Sequence, residues 1–280
     1  MRTLALPFIA LALLAAGAAQ AQSADTPAAP AAPAAADAPG DGLRDFCAQR
    51  PGRATPPCIV DAGHLQIETG LVDAVFQHEG GVHEDTYAIG GTELRLGVSR
   101  RVEFEASWTP WVVDQTRGQP HETGTGDASL AVMAALTDPD KAGAAVSAQA
   151  FVTLPTATHG LGAGGFTGGV RLPMAVPLED GFSLGLTPEV DILRNADGGG
   201  THTAWTGVAS IGRSFGPLAL GAELWGQAEA APGGVIRRAT ADLTSALMIG
   251  KTLQLDAGAN FGLNRQTPGA EVYVGVSQRF

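Results

Sequence analysis

The fold class predicted by this sequence is all-β: a transmembrane antiparallel up-and-down β-barrel of about twelve strands. Three observations carry it: a strictly alternating last strand, connections of alternating length, and ionised residues confined to one parity of the strands. The last stretch is Glu271-Val272-Tyr273-Val274-Gly275-Val276-Ser277-Gln278-Arg279-Phe280. Val272, Val274, Val276 and Phe280 share one parity, while Glu271, Tyr273, Ser277 and Arg279 share the other. Such period-two alternation gives a strand one apolar and one polar face. An aromatic-terminated strand is typical of outer-membrane barrels, so Val272, Val274, Val276 and Phe280 read as an assembly signal for the barrel-assembly machinery.

The chain of 280 residues can form one large β-domain or two small ones. A charged fraction of 16% and a formal net charge of -11 argue against nucleic acid as a partner. Residues 1–21 read as a secretory signal: Arg2 supplies the charge, Leu4 to Gly17 the apolar run, and Ala19-Gln20-Ala21 the cleavage site. Residues 22–42 are Ala/Pro-rich and read as a flexible tether. Residues 43–62 read as a small periplasmic preface, closed by a disulfide between Cys47 and Cys58 because these are the two cysteines of an exported chain. Residues 63–280 are then the barrel.

Twelve candidate strands follow: 63–77, 86–98, 102–114, 126–137, 144–155, 166–177, 182–193, 203–214, 218–229, 237–249, 252–263 and 270–280. A tilted membrane strand takes roughly 9–11 residues. The odd-numbered links are long (78–85, 115–125, 156–165, 194–202, 230–236, 264–269) and the even-numbered ones short (99–101, 138–143, 178–181, 214–217, 250–251). A barrel with both ends in the periplasm has this pattern of long outer loops and short inner turns. On the apolar parity Trp108, Phe166, Trp205 and Phe261 fall near the long-loop ends, and Phe104, Phe182, Phe215 and Phe280 near the short turns, as two aromatic girdles. Three residues break the pattern. Asp73 lands on the outward parity, and Pro173 and Pro188 lie inside strands that need every backbone N–H, so a bulge or slip is expected near each.

The opposite parity carries Glu68, Glu93, Glu103, Glu105, Asp127, Glu189, Asp191, Glu223, Asp242, Asp256 and Glu271, with Arg95, Arg171, Arg238 and Arg279. The expected arrangement is a net-negative lumen in which these line the pore and favour cations or neutral solutes, with interior Gly, Ala, Ser and Thr leaving room for water or a small solute. The alternative is that the same charges pair across strands and close the interior. A turn centred on Arg100 sets Arg95 opposite Glu105, and the two side chains are expected to meet.

Chemistry is sparse, and the chain does not read as an enzyme. His78, His83, His121, His159 and His202 fall in the long loops and read as solvated polarity, so no metal or cofactor is expected. A lipid hydrolase needs Ser and His converging at the membrane surface, yet His64, the one histidine on a strand, lies at the short-turn end. A soluble exported β-sandwich would not place two aromatic rings on one face. The partners expected are outer-membrane lipid and small solutes.

The runs Leu43-Arg44-Asp45-Phe46-Cys47, Thr55-Pro56-Pro57-Cys58, His64-Leu65-Gln66-Ile67-Glu68-Thr69-Gly70, Gly124-Thr125-Gly126-Asp127 and Val152-Thr153-Leu154-Pro155-Thr156 carry a resemblance. In order, they resemble the outer-membrane β-barrel transporters associated with phenol meta-pathway degradation. Ala157 stands where that family commonly has Gly. The resemblance implies a transport-type barrel in a Gram-negative outer membrane and, by analogy, aromatic solutes among its cargo. A closed barrel with a structural or binding role is the other reading of these residues.

Overall fold

This computed structural model describes residues 42–79, 82–158 and 160–280. The expected signal and nearly all of the tether lie outside the described residues. Fifteen strand segments follow in order: β1 (Leu65–Glu79), β2 (Val82–Ser99), β3 (Val102–Trp108), β4 (Trp111–Thr116), β5 (Glu122–Gly124), β6 (Ala128–Ala135), β7 (Ala145–Leu154), β8 (Thr167–Arg171), β9 (Met174–Pro177), β10 (Phe182–Arg194), β11 (Thr201–Phe215), β12 (Leu218–Ala231), β13 (Gly234–Ile249), β14 (Leu253–Gly262) and β15 (Ala270–Arg279). Three staves are interrupted, as β3/β4, β5/β6 and β8/β9, so the fifteen segments make twelve antiparallel staves. Pairing of β1 with both β2 and β15 closes the barrel, and the short β5 pairs on one side only, with β4.

Closure brings the last residue home: the Phe280 N–H donates to the Leu65 carbonyl and the Leu65 N–H to that of Phe280. Val272 and Val274 are exposed on the outside, as is Phe280. The aromatic residues assigned to the apolar parity, Phe104, Trp108, Phe166, Phe182, Trp205, Phe215, Phe261 and Phe280, are all exposed, with Leu94, Leu96, Leu130, Leu224 and Leu243 between them. Trp111 joins them. An outside covered in large apolar side chains, around an inside holding buried Glu, Asp and Arg, inverts the arrangement of a soluble protein.

The breaks in parity have backbone causes. Leu71 and Val72 are consecutive yet both exposed, at 48% and 41%, and the pairing of β1 with β15 shifts there by one residue. This bulge turns Asp73 inward. Gly90 on the neighbouring strand takes a φ of 73°, which lets β2 shift its own parity at the same level. The two prolines answer each other. Leu172 and Pro173 fall between β8 and β9, opposite Thr187 and Pro188, so both missing N–H groups lie at a single gap in the ladder. There the Leu172 N–H still reaches the Pro188 carbonyl at 3.0 Å.

The contrast in connection lengths is weaker than the sequence suggested. The strands run on into the expected long loops, leaving only residues 80–81 between β1 and β2 and 232–233 between β12 and β13. Conversely, residues 136–144 make a nine-residue inner connection.

Candidate functional site

The segment expected as a separate periplasmic preface lies inside the barrel. Cys47 and Cys58 form the disulfide. The loop it closes rises from the short-turn end to the middle of the lumen and returns. At its base the Arg44 guanidinium donates to Asp140, in the 136–144 connection, at 2.7 Å and to the Arg100 carbonyl, in the turn between β2 and β3. Arg44 and Arg100 together hold the Asp140 carboxyl below its usual range. Arg279 donates to the Arg44 carbonyl at 2.8 Å.

Higher up, Arg95 is the junction of plug and wall. It is wholly buried. It donates to Glu68 at 2.9 Å and to Glu103 at 2.7 Å. Its remaining N–H bonds go to the carbonyls of Cys47 and Cys58, at 2.9 and 3.0 Å. Glu68 accepts the backbone N–H groups of Gln49 and Arg50, each at 2.9 Å, and Glu103 accepts that of Val60 at 2.6 Å. Carboxylates that would otherwise be stranded in a dry wall therefore serve as acceptors for a strandless backbone that needs partners.

The strand register placed Arg95 opposite Glu105, and the pairing is as expected. The side chains do not meet as expected. Arg95 turns to Glu103 and Glu68, while Glu105 accepts from Gln149 and, at 2.9 Å, from Gln49.

The plug's tip is cationic. Arg50 pairs with Asp256 at 3.0 Å. The Arg53 N–H donates to Glu223 at 2.7 Å, and its guanidinium pairs with Glu271 and lies 3.6 Å from Asp242. Thr55 donates its N–H to Thr187 and accepts from Arg171, which also pairs with Glu189 at 3.2 Å. Gly97 and Gly275 make room for this segment. A Cβ at Gly97 would collide with the Asp61 and Val60 carbonyls, and one at Gly275 with the Arg50 guanidinium.

Beyond the tip the lumen is hollow. One cavity of about 480 Å³ is bounded by Arg50, Arg53, Asp73, Glu93, Arg171 and Glu189 among others. A second, of about 520 Å³, reaches the β14–β15 loop past Val75, Ile236, Arg238 and Pro268. Both share Arg53, Trp225, Asn260 and Glu271. The Arg53 guanidinium lies 4.9 Å from the centroid of the Trp225 ring.

The family model described as "Putative MetA-pathway of phenol degradation" matches residues 48–280. The chain belongs to this family. Among solved structures, the COG4313 outer membrane channel from Pseudomonas putida F1 superposes with a TM-score of 0.65 at 12% identity, over 82% of this chain and 99% of that one. The translocator domain of the autotransporter NalP from Neisseria meningitidis gives 0.49 at 15% identity, over 78% of this chain and 89% of that one. The NanC porin gives 0.47 at 7% identity, over 76% of this chain and 98% of that one. No curated protein matches the sequence. The fold shared with the channel is that of an outer-membrane barrel, so this family member crosses its membrane with strands.

The remaining residues singled out in the sequence are placed as follows. Asp191 and Asp242 are buried, and Thr206 donates to Asp191 at 3.4 Å. Arg238 bonds to Glu229 and Gln227. Asp127, expected to line the pore, pins a loop instead. It accepts the N–H groups of Ala157 and Ala163, each at 2.8 Å. Asp127→Ala would leave both N–H groups without that acceptor, a loss of roughly 1–3 kcal/mol of local order. Limited proteolysis should then cut within residues 156–165 faster than in the parent, with heat-modifiable migration unchanged.

The histidines are not uniformly solvated. His78 and His83 pack edge to face at 4.4 Å. His202 is held between Asn195 at 2.7 Å and Glu229 at 2.9 Å. His159 lies outside the described residues. Among the described residues no group of three or more His, Cys, Asp or Glu could hold a metal.

The sequence reading missed Arg44, Gln49, Arg50, Arg53 and Trp225. The available signal was charge: the stretch in and just before the disulfide loop carries Arg44, Arg50 and Arg53 ahead of a barrel wall rich in carboxylates.

Proposed function

We propose that this family member is an outer-membrane channel passing small solutes passively, with its N-terminal segment constricting the inner half of the lumen. The observation that carries the reading is a pair of adjoining cavities, sharing Arg53, Trp225, Asn260 and Glu271, beyond a plug that fills only part of the barrel. In this reading the short turns and the base of the plug face the periplasm, and the long loops face outward. The chain's partners are then outer-membrane lipid, the barrel-assembly machinery at β15 and small solutes, aromatic ones among them.

Charge selectivity is divided between wall and plug. The wall offers Arg95, Arg171, Arg238 and Arg279 against its many carboxylates, whereas Arg44, Arg50 and Arg53 belong to the plug. A mature protein in planar bilayers should show small, steady conductance with weak cation preference. Removal of residues 43–62 should raise that conductance several-fold and sharpen the preference, because the plug's cations leave with it. Absence of conductance in both forms would favour the closed barrel with a structural or binding role. That second reading draws on the density of hydrogen bonds between plug and wall.

A further inference from the structure

Arg53 is placed as a ligand would be. It stands at the boundary shared by both cavities, its guanidinium against the Trp225 ring, beside Glu271, with Asp242 at 3.6 Å. Asp242 is buried to 2% exposure, and Arg53 is its nearest cation. Asn260, equally buried, lines both cavities. It donates to Glu271 at 2.7 Å, while its own side-chain oxygen has no hydrogen-bond partner among the described residues. A face of Trp, two carboxylates and a spare amide oxygen form a receptor for a flat organic cation. Val75, Ile236 and Pro268 along the adjoining cavity suit an alkyl tail.

We propose that this is an organic-cation site in which Arg53 is the resident, internal ligand. A solute carrying a guanidinium or primary ammonium group, arriving through the outer cavity, competes with Arg53 for Glu271, Asp242 and the Trp225 face. When it wins, the tip of the plug loses the Arg53 hold on Asp242 of β13 and Glu271 of β15, while Arg50 keeps Asp256. Solute binding and plug release are then the same event. The tip keeps its backbone bonds to Glu223, so release is partial and reversible. This inference rests on the solute-channel reading for its consequence, but the binding step is measurable without any conductance.

Trp225 reports on the site because the other three tryptophans, Trp108, Trp111 and Trp205, are exposed on the outside. In a W108F/W111F/W205F background in detergent, Trp225 fluorescence is titrated with butylguanidinium and, separately, with its uncharged counterpart N-butylurea. The expected result is a saturable change with butylguanidinium alone, weakened in Glu271→Gln. Arg53→Ala should lower the half-saturating concentration about tenfold, as follows if the internal ligand holds the site roughly nine-tenths of the time. Arg53→Lys, which keeps a competing cation, should stay near the parent. Equal titration by N-butylurea, or an Arg53→Ala protein binding no more tightly than the parent, would overturn the proposal. Should Arg53→Ala fail to fold, the parent's preference for butylguanidinium and its loss in Glu271→Gln decide. A barrel that binds but never conducts would keep the site and discard the channel.

Discussion

Arg95→Met is expected to destabilise the protein by about 3–5 kcal/mol, the cost of removing one partner from a buried ion pair. The guanidinium is wholly enclosed and serves Glu68, Glu103 and two carbonyls of the plug at once. Without it, the two carboxylates it joins keep only the N–H groups of the plug and Gln66 as partners. Urea unfolding in detergent, followed by heat-modifiable gel migration, reads the loss. The plug should loosen before the barrel does. Reduction of the Cys47–Cys58 disulfide by external thiol should therefore quicken in Arg95→Met under conditions where the barrel still migrates as folded. Adding Glu103→Gln should recover part of the stability, because it removes one of the unpaired charges. A variant as stable as the parent, with its disulfide equally protected, would mean that the plug is held by shape rather than by this junction.

The second large effect concerns the outside. Leu243 lies midway along β13 and is 59% exposed, pairing with Ala222 and Ala259 on its neighbours. Leu243→Arg should cost about 2–4 kcal/mol in a bilayer, as a cation does on the lipid face near mid-depth. The inward counterpart is Thr206→Lys, whose new ammonium would enter a cavity already lined by Glu93, Glu189 and Glu271. That substitution should cost less than about 1 kcal/mol, because the cavity's carboxylates offer the ammonium opposite charge. Folding equilibria in lipid vesicles compare the two directly. Equal costs would show that lipid does not contact the face carrying Leu243.

Two features make the barrel legible from local pattern. Side-chain direction in a strand alternates with a period of two, so the bare order of Val272 to Phe280 tells inside from outside. Register across a tight turn is nearly as local, although Ser99 pairs with Val102 and a one-residue shift between Gly97 and Ser99 is what brings Arg95 across from Glu105. Where a bulge intervened, the rule failed at one residue and signalled its own failure, as Asp73 did.

What the chain order by itself determined was the twelve-stave wall, its apolar coat, its ionised interior and the disulfide. What only the tertiary structure decided was the use of that interior. Arg50 meets Asp256 across 206 positions of sequence, and Arg95 prefers Glu68 and Glu103 to the partner standing directly opposite. Such choices depend on which groups share a closed space once the ring of strands is complete. Alternation places a carboxylate inside but cannot say whether water, a neighbour or a returning piece of backbone will satisfy it. Closure answers that question, because a buried acceptor takes the strongest donor within reach, and here the donors arrive on the plug.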